Sequence, residues 1–236
     1  VKTGRGAYMK EIQDAVELAR AMIDIARISR RRAVAWVTAM DQPLGRAVGN
    51  AVEVAEAIET LKGGGPQDLE ELVVALGGEM LYLGEKAADP AHGRKLAAEI
   101  LHSGAAYAKF REIVLAQGGD PGVIEASESL LTAPVVLAAQ APTGGWVEAV
   151  DAYAVGLATM ALGAGRSKKD DPIDPAVGVV LQKKVGDRVR PGERLATIYA
   201  RSEHEAGEAA RTVAAAYAIG SQRVQPLALL IQRFEA

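Results

Sequence analysis

The 236-residue chain carries 27 Lys and Arg against 30 Asp and Glu, a formal net charge of −3, with 49% hydrophobic residues. It is long enough to bury a core, and its interspersed charges argue against a polybasic nucleic-acid or membrane-surface binder. Absence of cysteine excludes disulfides, thiolate nucleophiles and Cys-ligated metal sites; no stretch reaches the ~20 apolar residues of a spanning helix and no signal pattern opens the chain, so a cytoplasmic protein is expected.

The opening decapeptide, VKTGRGAYMK, reads as a short strand running into a glycine loop, as at the exit of a βα unit. Such an abrupt start is expected of the rear portion of a larger enzyme. Over residues 11–27, Ile12, Ala15, Val16, Ala19, Met22, Ile23 and Ala26 recur at three- and four-residue spacing opposite Glu11, Asp14, Glu17, Arg20 and Asp24. That pattern predicts an amphipathic helix. The basic run at 27–32 suits its C-terminus, and AVAWVT at 33–38 reads as a short buried strand.

A Gly63 to Pro66 turn then separates two helices, expected at 52–61 and 69–76, with Asp68 as the N-cap of the second. Helical periodicity continues to the Gly118 to Pro121 turn. Composition changes next, to β-favouring runs at 135–137 and near Trp146, followed by a small-residue helix expected at 149–162. Residues 175–199, with tight turns at Gly186-Asp187 and Pro191-Gly192, read as a compact β-hairpin module. An Ala-rich helix at 205–218 and a terminal strand-like LALLI complete the chain.

Gly4-x-Gly6 does not extend to a dinucleotide fingerprint, because the position of its third glycine is Met9 and no acidic residue closes a Rossmann unit. Two readings remain for this loop: a structural turn with a core tyrosine, or a sharp turn near a ligand with Tyr8 as a flat apolar wall. The second motif is Pro43-Leu44-Gly45-Arg46-Ala47 with Glu56 on the helix that follows. It is either a helix-leading turn with a solvated glutamate or a set of carbonyls beside a carboxylate that could hold a hard cation. His92, His102 and His204 are scattered singly and read as surface or packing residues; no metalloprotease, α/β-hydrolase or P-loop pattern occurs. The stretch from Val185 to Leu195 resembles a biotinyl/lipoyl carrier hairpin. The usual Asp-Lys-Ala or Met-Lys-Met is absent, the nearby pairs are Lys168-Lys169 and Lys183-Lys184, and no lysine follows Lys184.

Three blocks, VKTGRGAYMK, MDQPLGRAVGNAVEVAEAIETLKGGGPQDLEELVVALGGEML and LGAGRSKKDDPIDPAVGVVLQKKVGDRVRPGERLATIYA, together resemble the thymidine/pyrimidine nucleoside phosphorylase family in the right order over nearly the whole chain. The resemblance implies an α/β (α+β) fold: most of the large mixed-sheet α/β domain over 1–143 and a hairpin-containing C-terminal α+β domain over 144–236, without the helical domain. It also implies a pentosyltransferase of nucleoside salvage in which phosphate attacks the anomeric carbon of thymidine, and of uridine if specificity is broad, with no organic cofactor and a homodimeric parent. No nucleic-acid or membrane partner is implied. Where members of the family carry a phenylalanine against the pyrimidine, this chain has Tyr8, which keeps the ring and adds a hydroxyl. The family's cation site, for K or Ca, maps onto the carbonyls of Leu44 and Ala47 and the carboxylate of Glu56. No catalytic residue falls within this chain, since the phosphate loop and the base-holding residues precede the equivalent of Val1; the chain alone is expected to be inactive. The alternative is a non-catalytic binding or structural module, either a carrier-like hairpin or a subunit that pairs with a separately encoded front half.

Overall fold

The computed structural model describes residues 1–166 and 168–236. The periodicity of residues 11–27 becomes α1 (Ile12–Ile28), which packs Ala15 and Ala19 against the first sheet and buries Ile23 as well. This helix connects β1 (Lys2–Thr3) to β2 (Val34–Ala39), and the two strands pair in parallel, Lys2 opposite Thr38. Short apolar strands separated by a helix whose small residues face them form such a unit readily.

Next come β3 (Ala47–Gly49), α2 (Ala51–Leu61), α3 (Gln67–Leu83), α4 (Pro90–His102), α5 (Ala105–Ala116) and α6 (Pro121–Glu125). α3 runs seven residues beyond its expected end at 76, through Gly77 and Gly78, because the glycines are a contact surface and not a break. A Cβ on Gly78 would lie 2.6 Å from the Arg94 amide nitrogen, and one on Gly93 only 2.2 Å from the Gly78 carbonyl oxygen, so α3 and α4 meet backbone to backbone. Asp68 is not the N-cap: the helix starts at Gln67 after an extended Pro66, which places Asp68 inside the first turn.

The second half supplies β4 (Val135–Gln140), β5 (Gly145–Val150), α7 (Ala152–Thr159), β6 (Gly178–Leu181), β7 (Arg188–Val189), β8 (Arg194–Ala200), α8 (Glu203–Ala215), β9 (Tyr217–Gly220) and β10 (Leu230–Glu235). The helix expected at 149–162 begins only at Ala152, since Ala149 is paired with Ala218 in a sheet and the Asp151 carboxylate caps the amides of Tyr153 and Ala154. It ends in a π-helical turn, Met160–Ala164. The helix expected at 205–218 is capped by Ser202 and stops at Ala215, because Tyr217 and Ala218 join β9.

The described residues form three sheets. β10 lies antiparallel to β2, giving the order β1-β2-β10; β3-β6-β8-β4 and β7-β5-β9 are antiparallel throughout. The expected hairpin module is therefore divided: β6 and β8 pair with each other, whereas β7 pairs with β5, Arg188 opposite Trp146. The terminal strand also lies further along than LALLI, since Leu227 is exposed and pairing with β2 begins at Leu230. The main core lies where the four-stranded sheet meets α7 and α8, around Val155, Leu162, Val179, Leu181, Leu195, Ile198 and Val213. Among the described residues no helix is long and apolar enough to cross a membrane.

Candidate functional site

Two loops meet near the C-terminal ends of β1 and β2. In the first, residues 4–9, Gly4 takes φ +113° and its amide donates to the Met9 carbonyl at 3.0 Å, closing the turn. Gly6 presses against the second-strand side, its amide donating to the Met40 carbonyl at 2.9 Å; a Cβ there would lie 2.8 Å from the Ala152 methyl. Close approach, not only turning, explains both glycines. Tyr8 sits between them and α1 with its ring fully in solvent, 101% exposed, so the core-tyrosine reading fails: the loop displays the ring instead of packing it.

The second loop, residues 42–47, leads into β3 and is surrounded by side chains from three distant elements. Glu56, on α2, accepts the amides of Arg46 at 2.8 Å and Ala47 at 3.1 Å through Oε1. Asp68, on α3, accepts the Gly45 amide at 3.2 Å through Oδ2. Lys184, on the β6–β7 turn, donates through Nζ to the Pro43 carbonyl, to the Gly45 carbonyl at 2.6 Å and to Asp68 Oδ2 at 2.9 Å. Gly45 is left-handed at φ +63°, and a Cβ there would fall 2.2 Å from Glu56 Oε2, so only glycine lets the loop close on that carboxylate.

This geometry decides how well the loop suits a cation. The carbonyls of Pro43 and Gly45 are taken by Lys184 and that of Arg46 by the Leu181 amide at 2.8 Å. Among the described residues, the carbonyls of Gln42, Leu44 and Ala47 are left without donors. The bond between Arg46 and Leu181 makes the next pair, Ala47 with Val180, a non-hydrogen-bonded one, so the amide and carbonyl of Ala47 turn away from β6 toward Glu56. The solvated-glutamate reading fails as well. Burial pushes the Glu56 carboxyl up, against the two amides that favour its charged form, and burial likewise lowers the Lys184 ammonium. The Leu44 and Ala47 carbonyls, without donors among the described residues, border the same cavity as the partly desolvated Glu56 carboxylate; that is the oxygen chemistry a hard cation takes, so these residues fit the expected ion.

Leu44, Ala47 and Glu56 share with Gly6 the lining of a cavity of about 500 Å³, walled on its far side by Tyr153, Leu157 and Met160 of α7 and the turn after it. Tyr8 is not in that lining. Pro43 and Leu44 also border a second cavity of about 530 Å³, on the side of Arg5, Asp41 and the segment 224–229. The histidines stay apart: His92 accepts the Ala88 amide, His102 faces Glu70 at 2.7 Å, and His204 is exposed on α8. Among the described residues no group of three or more His, Cys, Asp or Glu is placed to hold a metal, so any ion here would rely on backbone oxygen. Lys183 is paired with Glu193 at 2.6 Å and Lys184 is enclosed, so neither is displayed on the hairpin as a carrier lysine would be. Lys184 and the loop-facing role of Asp68 are what the sequence reading missed; the only signal was a lysine beside a tight turn.

Comparison with known proteins places these loops. Residues 1–107 match the model of the glycosyl transferase family a/b domain, and residues 146–220 match that of the pyrimidine nucleoside phosphorylase C-terminal domain. The chain is 47% identical over 203 residues to a pyrimidine-nucleoside phosphorylase of Geobacillus stearothermophilus, covering 86% of this chain and 47% of the relative. The same figures hold for pyrimidine-nucleoside phosphorylases of Staphylococcus aureus strains USA300 and NCTC 8325 / PS 47. The chain thus spans about half the length of the curated relatives it matches, and it belongs to the thymidine/pyrimidine nucleoside phosphorylase family.

Proposed function

We propose that these 236 residues form part of an enzyme that phosphorolyses pyrimidine nucleosides. In that reaction a phosphate oxygen forms a bond to the anomeric carbon, the N-glycosidic bond breaks, and its electron pair leaves with the base, which takes up a proton. No covalent nucleophile is needed, in keeping with a chain without cysteine. Catalysis rests on holding two substrates together and on stabilising the departing base. The observation that carries this reading is the 47% identity to pyrimidine-nucleoside phosphorylases over 86% of the chain. Two loop motifs that border one cavity, Gly6 on one side and Leu44, Ala47 and Glu56 on the other, support it.

In this reading Tyr8, already displayed, stacks on the pyrimidine, and the carbonyls of Leu44 and Ala47 with Glu56 hold a potassium or calcium ion that stiffens the loop. The parent is a homodimeric cytoplasmic enzyme of nucleoside salvage, and thymidine and uridine are both candidate substrates. Tyr8 apart, the family's phosphate loop and the polar residues that hold the base are not among these 236, so the chain alone is inactive. The test is phosphate-dependent release of thymine from thymidine and uracil from uridine, by the chain alone and by a phosphorylase of the relatives' full length ending in these residues. Turnover by the longer protein alone is expected. Turnover by the 236 residues would refute their incompleteness, and failure of both proteins would refute the phosphorylase reading.

A further inference from the structure

The loop at 42–47 and the β6–β7 turn hold each other by reciprocal cations. Lys184 reaches from the turn to cap the loop carbonyls of Pro43 and Gly45; Arg46 reaches from the loop to cap the turn carbonyls of Leu181 at 3.2 Å and Gln182 at 2.8 Å. The Val185 amide donates to Gln42 Oε1 at 3.0 Å and closes the contact. One partner lies in the stretch matching the a/b-domain model and the other in the stretch matching the C-terminal-domain model, so this is a side-chain clasp between the chain's two family units, added to the β3–β6 pairing.

Lys184 is unlike the chain's surface lysines. Its side chain is only 14% exposed, and its ammonium has three oxygen acceptors converging on it, two of them carbonyls of one loop. A compact ammonium with three donors suits such a cluster, whereas a planar guanidinium does not. The ammonium thus does for Pro43 and Gly45 what a bound ion would do for a carbonyl-rich loop. With those two carbonyls taken, the ones without donors among the described residues are those of Gln42, Leu44 and Ala47, and of these Leu44 and Ala47 border the cavity shared with Glu56.

We propose that Lys184 is a positioning residue, an internal cation that fixes the 42–47 loop to the C-terminal unit and so presents the Leu44 and Ala47 carbonyls beside Glu56. The clasp itself stands whether or not an ion binds at Glu56; its consequence for that ion rests on the proposed function.

The experiment is hydrogen exchange at the Gly45, Arg46 and Ala47 amides of the 236-residue chain, with thermal midpoints, for the wild type and Lys184→Ala. Each is measured in methylammonium chloride and in tetramethylammonium chloride at matched ionic strength. Lys184→Ala is expected to lose about tenfold or more of the protection at these three amides, beyond any global change. Methylammonium, small enough to enter the vacated site, is expected to restore protection where tetramethylammonium does not, a rescue that loss of packing alone would not show. Unchanged protection, or a loss that methylammonium leaves unrepaired, would overturn the proposal. If Lys184→Ala does not fold, Lys184→Arg decides by protection of the same amides: a loss supports the compact-ammonium requirement and full protection refutes it. Potassium and calcium separate the two ideas. A wild-type midpoint that rises with either ion and no longer does so in Glu56→Gln supports the Glu56 site, and a wild type indifferent to both ions refutes that site while methylammonium rescue still upholds the clasp.

Discussion

Arg233→Met tests how the last strand is held. Glu79 on α3 is 4% exposed and accepts three bonds: from the Trp36 indole at 3.0 Å and from Arg233 Nε and Nη2 at 2.8 and 3.0 Å. Arg233 also donates to Glu235 at 2.7 Å, and Glu235 accepts the Tyr82 hydroxyl at 3.0 Å, so β2, β10 and α3 share one polar network. Removing the guanidinium leaves a buried carboxylate with the indole as its remaining donor. Breaking a buried pair from one side costs roughly 3–5 kcal/mol, and the quarter exposure of Arg233 puts this case near the lower end, about 3 kcal/mol. At roughly 2–4 °C per kcal/mol for a chain of this size, the melting midpoint should fall by about 6–12 °C. Urea and thermal unfolding followed by circular dichroism measure it. The double variant Glu79→Leu/Arg233→Met, which leaves no orphan charge at this pair, should recover most of the loss. A single variant within about 0.5 kcal/mol of wild type would refute the reasoning.

The same network predicts a pH dependence. Burial opposes it, but the Arg233 guanidinium and the Trp36 indole hold the Glu79 carboxyl below its usual value near 4.5. A folded pKa below the unfolded one stabilises above pH 4.5 and is lost as pH falls through the folded value, so acid should destabilise the wild type more steeply than the double variant in denaturant titrations. Gly93→Ala should cost about 1–3 kcal/mol or prevent folding, because its Cβ meets the Gly78 carbonyl; unfolding midpoints check it. Tyr8→Ala should leave stability within about 0.5 kcal/mol, since the ring is fully exposed, and should raise the nucleoside KM of the longer phosphorylase. An unchanged KM would remove Tyr8 from the base pocket.

Local pattern carried a good deal of this molecule. The four-residue spacing of Ala15, Ala19 and Ile23 was enough to locate α1 and its buried face, and Gly4, Gly6 and Gly45 marked the loops where another group comes too close for a Cβ. Such signals are local: a helix face or a positive φ is dictated by neighbours within a turn or two. The three blocks resembling the phosphorylase family were equally visible, because they are contiguous stretches of chain.

Pairing across long separations was not visible in this way. Nothing in the apolar run at 227–231 says that β10 will lie against β2, that Arg233 will reach Glu79, or that β7 will leave β6 and β8 to join β5. Asp68 reads locally as a cap, yet the helix start at Gln67 frees its carboxylate for Gly45 and Lys184. Lys184 reads as one of two lysines beside a turn, and becomes the centre of a loop 139 residues away only because folding removes it from water and surrounds it with carbonyls. Composition and spacing set which segments turn, coil or extend; burial and three-dimensional convergence, which depend on the whole chain at once, set which charges meet.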